Sequence, residues 1–417
     1  MEKKTLIADQ PQSEGAANVL KRAQQLSQLR WTPVRPFPAV FKSSAPEKPD
    51  YHNIYLSAWR PNTGVAYSSV RLHEKYVGYN VLTETYLSAL ANPNSCLYTK
   101  SLYGMGVRNC IPYYGTVCSE FVSYSFDLPL RTACARWPSM DGIEEIIPEP
   151  LEKLQLCDIV LNPKQHIMLV TGIERDGDGR IERIQISEST LPKIAVTWFT
   201  PKEFTEAFLK KEFNIYRYHK LDKVTYTPDP FVYVEGDPEV PAPKINDVLL
   251  PDLGNKANYL VSEPVELSVF DEAYTKVIVR AEDGGVCELP VENGLAVFAG
   301  GKPGCYTAAA VKENGEESEP VEFCITDAKV KTDRETYKIG ETITVTGSCE
   351  AGDYAVGYML KQLGAPFGDR GQYLLKDGVP APGTFTLAAP GEYAAVSFFR
   401  NKYGVYTSER LPFRVTE

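Results

Sequence analysis

Histidine is scarce in this chain, with four in 417 residues, at positions 52, 73, 166 and 219. Chemistry that needs an imidazole therefore has few places to sit. No Cys-x-x-Cys pair and no His-rich spacing occurs, which excludes the usual zinc frameworks, and no metal or organic cofactor is expected. No run of about eighteen apolar residues exists, so no membrane-spanning helix is expected. Lys and Arg number 44 against 54 Asp and Glu, a net charge of −10. Nucleic acid and anionic membranes, which are bound through basic patches, are not expected partners. The N-terminal residues Met1 to Gln10 carry positive charge but reach Asp9 and Gln10 before any apolar run, so no secretory signal is read there. Asp176-Gly-Asp-Gly opens like a calcium loop, but Arg180 stands where a third ligand belongs, and a hairpin turn is read instead.

The length exceeds what a single core usually supports, and 43% hydrophobic content is ordinary for a globular chain, so two to four domains are expected. Val19, Leu20, Ala23, Leu26 and Leu29 fall close to one face of a helix over residues 13–30 that packs on the next domain. Five prolines between Pro33 and Pro49 mark an extended connector. Helical patterns recur at Leu82 to Ala91 and at Pro201 to Lys211. Pro228 to Pro243 holds five more prolines and reads as an interdomain linker.

The chemistry concentrates between these. Gly115-Thr-Val-Cys-Ser-Glu-Phe-Val-Ser-Tyr-Ser-Phe places Cys118 in the first turn of a helix whose apolar face is Phe121, Val122 and Phe126. There, unpaired backbone N–H groups and the helix dipole favour a thiolate. Leu156 to Leu161 and His166 to Ile173 read as strands, and Arg180 to Ser187 follows the turn at 176–179 as a third. With the hairpin centred near Gly177, facing residues have numbers that sum to about 354, which puts His166 opposite Glu188; a register one residue away puts Ser189 there. Cys118, His166 and Glu188 thus supply a nucleophile, a general base and an orienting carboxylate.

These motifs, with Phe213-Asn-Ile-Tyr-Arg-Tyr, resemble the NlpC-type cysteine peptidases of the papain-like superfamily over roughly residues 50–220. The resemblance implies an α+β domain with an antiparallel sheet, and a cysteine-dependent amide hydrolase whose substrate is a peptide or amide, murein-derived in the family. It also implies an envelope or secreted location. Gly64-Val-Ala-Tyr resembles the family's Gly-x-Pro-Tyr element, so Tyr67, and with it Tyr114 just before the Cys, are assigned to substrate binding. The departures are Val117 where many members carry Asp, Glu120 where a small Gly is usual, Glu188 as third residue, and about fifty residues between Tyr67 and Cys118. Two alternatives stand beside the hydrolase: an envelope binding protein whose papain-like domain is inactive, and a thioester acyltransferase.

The C-terminal half repeats itself. Lys302-Pro-Gly-Cys-Tyr and Glu322-Phe-Cys-Ile-Thr are echoed about ninety residues later by Ala389-Pro-Gly-Glu-Tyr and Pro412-Phe-Arg-Val-Thr, a duplicated module that resembles bacterial immunoglobulin-like sandwiches. The expected organisation is therefore multi-domain. A helix and connector occupy 1–49, an NlpC-type domain 50–223, a linker 224–244, and β-sandwich modules 245–327 and 328–417. Nine cysteines cannot all pair internally, consistent with an unpaired Cys118; Cys287 with Cys305, or Cys324 with Cys349, could bridge in an oxidising compartment.

Overall fold

A computed structural model describes residues 6–40, 54–68, 76–95, 97–98, 115–146, 151–251, 257–349, 353–363, 369–374 and 381–417. Tyr114, His52 and His73 lie outside the described residues. The chain is mostly β-sheet and forms two compact units, Met1–Gly78 with Ala89–Lys244, and Tyr79–Ser88 with Ile245–Glu417.

The first unit is built on a seven-stranded sheet. Its strands in chain order are β1 (Ile7–Ala8), β2 (Ile143–Ile146), β3 (Ile159–Asn162), β4 (His166–Arg175), β5 (Ile181–Ser189), β6 (Ile194–Phe199) and β7 (Asn214–Tyr218). They lie in the order β6-β5-β4-β3-β7-β2, with β1 added on β4, and all pairs are antiparallel. Every residue of β3 is buried, and Ile167, Met168, Leu169 and Val170 of β4 are at most 1% exposed. Both faces of the middle of the sheet are therefore covered.

Helix α1 (Glu14–Gln28) starts where Ser13 Oγ accepts from the Ala16 N–H, a side-chain cap. Helices α2 (Thr83–Ala91) and α3 (Cys118–Ser125) follow. Eight residues make a marginal helix alone, and α3 is held by neighbours. Phe121 and Val122 are fully buried, and the Arg22 Nε of α1 donates to the Tyr124 carbonyl at 2.6 Å while ion-pairing Asp127 at 3.2 Å. The expected helix over 201–211 forms as an α-helix and then a 3-10 turn, Leu209–Lys211. α4 (Pro201–Ala207) is capped by a Thr200/Glu203 box and stops at Phe208, whose ring packs among Phe199, Phe204 and Phe213 at 5.2–5.8 Å. Residues 224–237 of the expected linker run along α1: Asn18 and Gln25 donate to the Val224 and Thr227 carbonyls, and Lys21 pairs with Asp237.

In the second unit, two similar sandwiches follow one another. One has a three-stranded sheet (Leu249–Pro251, Val265–Val269, Leu295–Phe298) and a five-stranded sheet containing Gly304–Lys312 and Val321–Thr326. The other repeats the three-stranded sheet with Lys329–Thr332, Thr342–Ser348 and Gly383–Thr386, and enlarges its partner sheet to six strands. In each, a short strand runs parallel to the last one, Asn258–Leu260 beside Val321–Thr326 and Thr336–Lys338 beside Leu411–Thr416. The Pro-Gly-x-Tyr echo has a physical role. Tyr306 and Tyr393 reach back to the carbonyls of Lys302 and Ala389 and stack on Phe323 and Phe413. Neither expected cysteine pairing is formed: Cys305 faces Cys324 directly across two antiparallel strands, with their sulfurs 2.6 Å apart, and Cys349 donates to Asp327. Cross-strand register, invisible in spacing along the chain, decides which thiols meet.

Candidate active site

Cys118 is delivered by a tightly held strand segment. Gly115–Thr116 runs between residues 66–68 and 76–77: Thr116 N–H donates to the Ala66 carbonyl, Ser68 N–H to the Thr116 carbonyl, and Val77 N–H to the Gly115 carbonyl. A side chain at 115 would place its Cβ 2.1 Å from the Ala66 oxygen, so only glycine admits this approach. Tyr67 therefore sits, by its backbone, beside Thr116, two residues before the Cys, and it is partly buried. Val117 is the N-cap of α3 and offers no side-chain cap. The first N–H groups of the helix are left without intrahelical acceptors at the point where Cys118 begins it.

The hairpin β4–β5 brings up the other two groups. Leu169 pairs with Ser187 and Val170 with Ile186, and Asp176 N–H donates to the Arg180 carbonyl. The hairpin thus centres on Asp178, not Gly177. Asp176 Oδ1 takes the N–H groups of Asp178 and Arg180 and shapes the turn. Two bulges, one between Val170 and Gly172 and one between Glu174 and Arg175, cancel, so the faces keep their parity. Facing numbers near the site sum to 356 rather than 354 (169 and 187), and His166 is a diagonal rather than a direct neighbour of Glu188. That distance is still within reach of long side chains. His166 Nε2 lies 2.6 Å from Glu188 Oε2, each side chain about one-fifth exposed. Ser189, the alternative partner, is fully buried and donates to the Thr116 carbonyl. His219, at the far end of β7, pairs with Glu144 on the surface.

The Cys118 thiol is partly exposed and near enough to His166 for the imidazole to favour its thiolate. Its sulfur is 3.9 Å from that of Cys134, a residue that sequence reading counted only among the cysteines. Sixteen positions separate the two, and no periodicity links them. A hydrogen bond from the Cys134 thiol, with further help from His166 and the Ile167 N–H, outweighs burial and lowers Cys118 to about 4. The same contact, with burial, pushes the Cys134 thiol up. The proton of the pair belongs on Cys134, because His166 and the Ile167 N–H act on Cys118 to favour its thiolate. For His166, burial works against the charged ring, but hydrogen bonds and charge from Cys118 and Glu188 win and raise it to about 9. At neutral pH the arrangement is a thiolate beside an imidazolium.

Glu120 faces away from this chemistry. It is fully buried, accepts from Thr116 Oγ1 through one oxygen, and has no hydrogen-bond partner at the other. Burial pushes its carboxyl well above the usual range, against the pull of Thr116, Arg131 and Arg22. Among the described residues no group of three His, Cys, Asp or Glu side chains is placed to hold a metal, and no described helix is long and apolar enough to cross a membrane. A cavity of about 870 Å³ in this unit is lined by Ser13, Cys157, Asp158, Arg217 and neighbours, and by none of Cys118, His166 or Glu188.

No protein-family model matches the chain, and no curated protein matches it. Among solved structures it is similar to the fibronectin(III)-like modules of Clostridium thermocellum CbhA, at 15% identity over 40% of this chain and 92% of that one, with a TM-score of 0.23. A superoxide reductase (neelaredoxin) from Ignicoccus hospitalis is similar at 22% identity over 21% of this chain and 79% of that one, with a TM-score of 0.17. Likenesses this slight carry no functional argument.

Proposed function

We propose that this chain is a cysteine-dependent amide hydrolase of the NlpC type, its first unit papain-like and its two sandwiches immunoglobulin-like modules that bind or space. The observation that carries the reading is the placement of Cys118, His166 and Glu188, with Glu188 2.6 Å from the imidazole and the same ring helping to lower the Cys118 thiol. With Nε2 committed to Glu188, Nδ1 is the nitrogen left for the thiol.

The Cys118 thiolate attacks the carbonyl carbon of the amide, and the oxyanion that forms meets the N–H groups at the start of α3. The His166 imidazolium protonates the leaving amine as the C–N bond breaks. The ring, now neutral, takes a proton from water as its oxygen attacks the thioester, and Cys118 leaves as thiolate. Tyr67 borders this centre from the strand beside Thr116. The substrate class follows the resemblance, a peptide of bacterial cell-wall type. With Val117 where a carboxylate would hold a free amine, a blocked or acylated amine is the better fit.

The test is turnover of murein-derived peptides and simple peptide amides, with the acyl-enzyme trapped by acid quench and located by mass spectrometry. An acyl group on Cys118 supports the reading; turnover with no acyl group there overturns the covalent mechanism, and no turnover with any amide overturns the hydrolase in favour of a binding protein. Glu188→Gln keeps an oxygen that can orient the ring but removes its charge, and should lower kcat/KM by roughly tenfold to a hundredfold, less than loss of the imidazole. It should also bring His166 down from about 9, seen as an earlier alkaline fall in the pH–rate profile.

A further inference from the structure

We propose that Cys134 is a resolving thiol, and that a hydroperoxide converts the Cys118/Cys134 pair into a reversible disulfide that blocks the nucleophile and spares it from irreversible oxidation. The two sulfurs are 3.9 Å apart and both residues are partly exposed. Closing to the bonded distance of about 2.05 Å needs a sulfur movement of roughly 2 Å. Each sulfur sits at the start of its own short helical element, α3 and the 3-10 turn Cys134–Ser139.

The approach is not accidental. Ser123 Oγ of α3 accepts the Thr132 N–H at 2.9 Å, and fully buried Trp137 donates to the Thr132 carbonyl and packs on Phe126. These contacts tie the segment that carries Cys134 to the helix that carries Cys118. The other described cysteine of this unit, Cys157, is buried, with its thiol directed at the Ala16 carbonyl.

The chemistry balances in two steps. The Cys118 thiolate attacks a peroxide oxygen: an S–O bond forms, the O–O bond breaks, and the leaving oxygen takes a proton from His166, giving a sulfenic acid and water or an alcohol. The Cys134 sulfur then attacks the sulfenyl sulfur: an S–S bond forms, the S–O bond breaks, and the Cys134 proton leaves with hydroxide as water. Sulfur is oxidised and peroxide reduced. Cys134 is a poor nucleophile while Cys118 is a thiolate, because that charge holds its proton. Once Cys118 is a neutral sulfenic acid the larger part of that restraint is lifted and burial alone still raises the thiol, so resolution is favoured by the oxidation itself.

The regulatory consequence rests on the hydrolase reading, but the linkage can be measured without substrate. The full chain is titrated with hydrogen peroxide, then mapped under non-reducing conditions by mass spectrometry with iodoacetamide trapping, before and after dithiothreitol. Expected are a Cys118–Cys134 linked peptide, loss of label at both positions, and full recovery on reduction. In Cys134→Ser, Cys118 should proceed to sulfinic acid that dithiothreitol does not restore. Sulfinic acid at Cys118 of the wild type without the linked peptide, or equal recovery in the variant, overturns the inference. A linked peptide in a protein that turns over no amide leaves the disulfide standing and removes the hydrolase. Amide turnover without a linked peptide does the reverse.

Discussion

Cys118→Ala should lower kcat/KM for amide hydrolysis by about 10⁴-fold or more, the scale on which removal of a covalent nucleophile acts, with the fold unchanged. The residue is partly exposed at the first position of α3, and the fully buried Phe121 and Val122 anchor the helix without it. A change in stability under about 1 kcal/mol is expected, read from chemical denaturation. The substitution also removes the group that keeps Cys134 protonated, so iodoacetamide should label Cys134 faster in the variant than in the wild type. Activity equal to wild type would end the proposed mechanism, and an unchanged Cys134 labelling rate would mean the two thiols do not share a proton.

His166→Ala should separate the two supports of the thiolate. In the wild type, Cys118 titrates low, at about 4, and His166 high, at about 9. The rate of Cys118 alkylation should therefore rise through about pH 4 and hold level to about pH 9, because the thiolate is present above the lower value and its imidazolium partner is lost only above the upper one. Removing the ring takes away a hydrogen bond and a positive charge, so the thiolate appears at higher pH. Labelling at pH 5 should slow about twofold if the thiol moves up by one unit and about tenfold if it moves up by two, since the thiolate fraction falls steeply only once the thiol titrates above pH 5. Hydrolysis should fall by about 10²- to 10⁴-fold, the range of a lost general acid and base. Labelling at pH 5 that does not differ between the two proteins would show that Cys134 and the helix N-terminus sustain the thiolate without His166.

Much of the site was legible because its parts are local. An apolar stripe after Cys118 marks a helix, and alternation from His166 onward marks a strand, whatever lies around them. The parity that puts His166 and Glu188 on one face could also be read, since side chains alternate strictly and the two bulges cancel. The exact facing residues could not, because the turn centre is set by which N–H groups Asp176 collects. Residues 224–237 carry linker composition, yet their carbonyls are donated to by Asn18 and Gln25 over two hundred positions away in sequence. Composition reports what a segment can do when free and is silent on partners elsewhere.

By itself the sequence determined the helix under Cys118, the strand under His166, the acidic residue one strand on, and the repeated sandwich modules, all of which follow from periodicity and turn chemistry within a few residues. Only the tertiary structure decided that Glu188 meets His166 on the diagonal, that Cys305 faces Cys324, and that Cys134 lies against Cys118. Those contacts depend on strand register and on how separate elements pack, and both are settled by the sum of burial over the whole core rather than by any short stretch of chain.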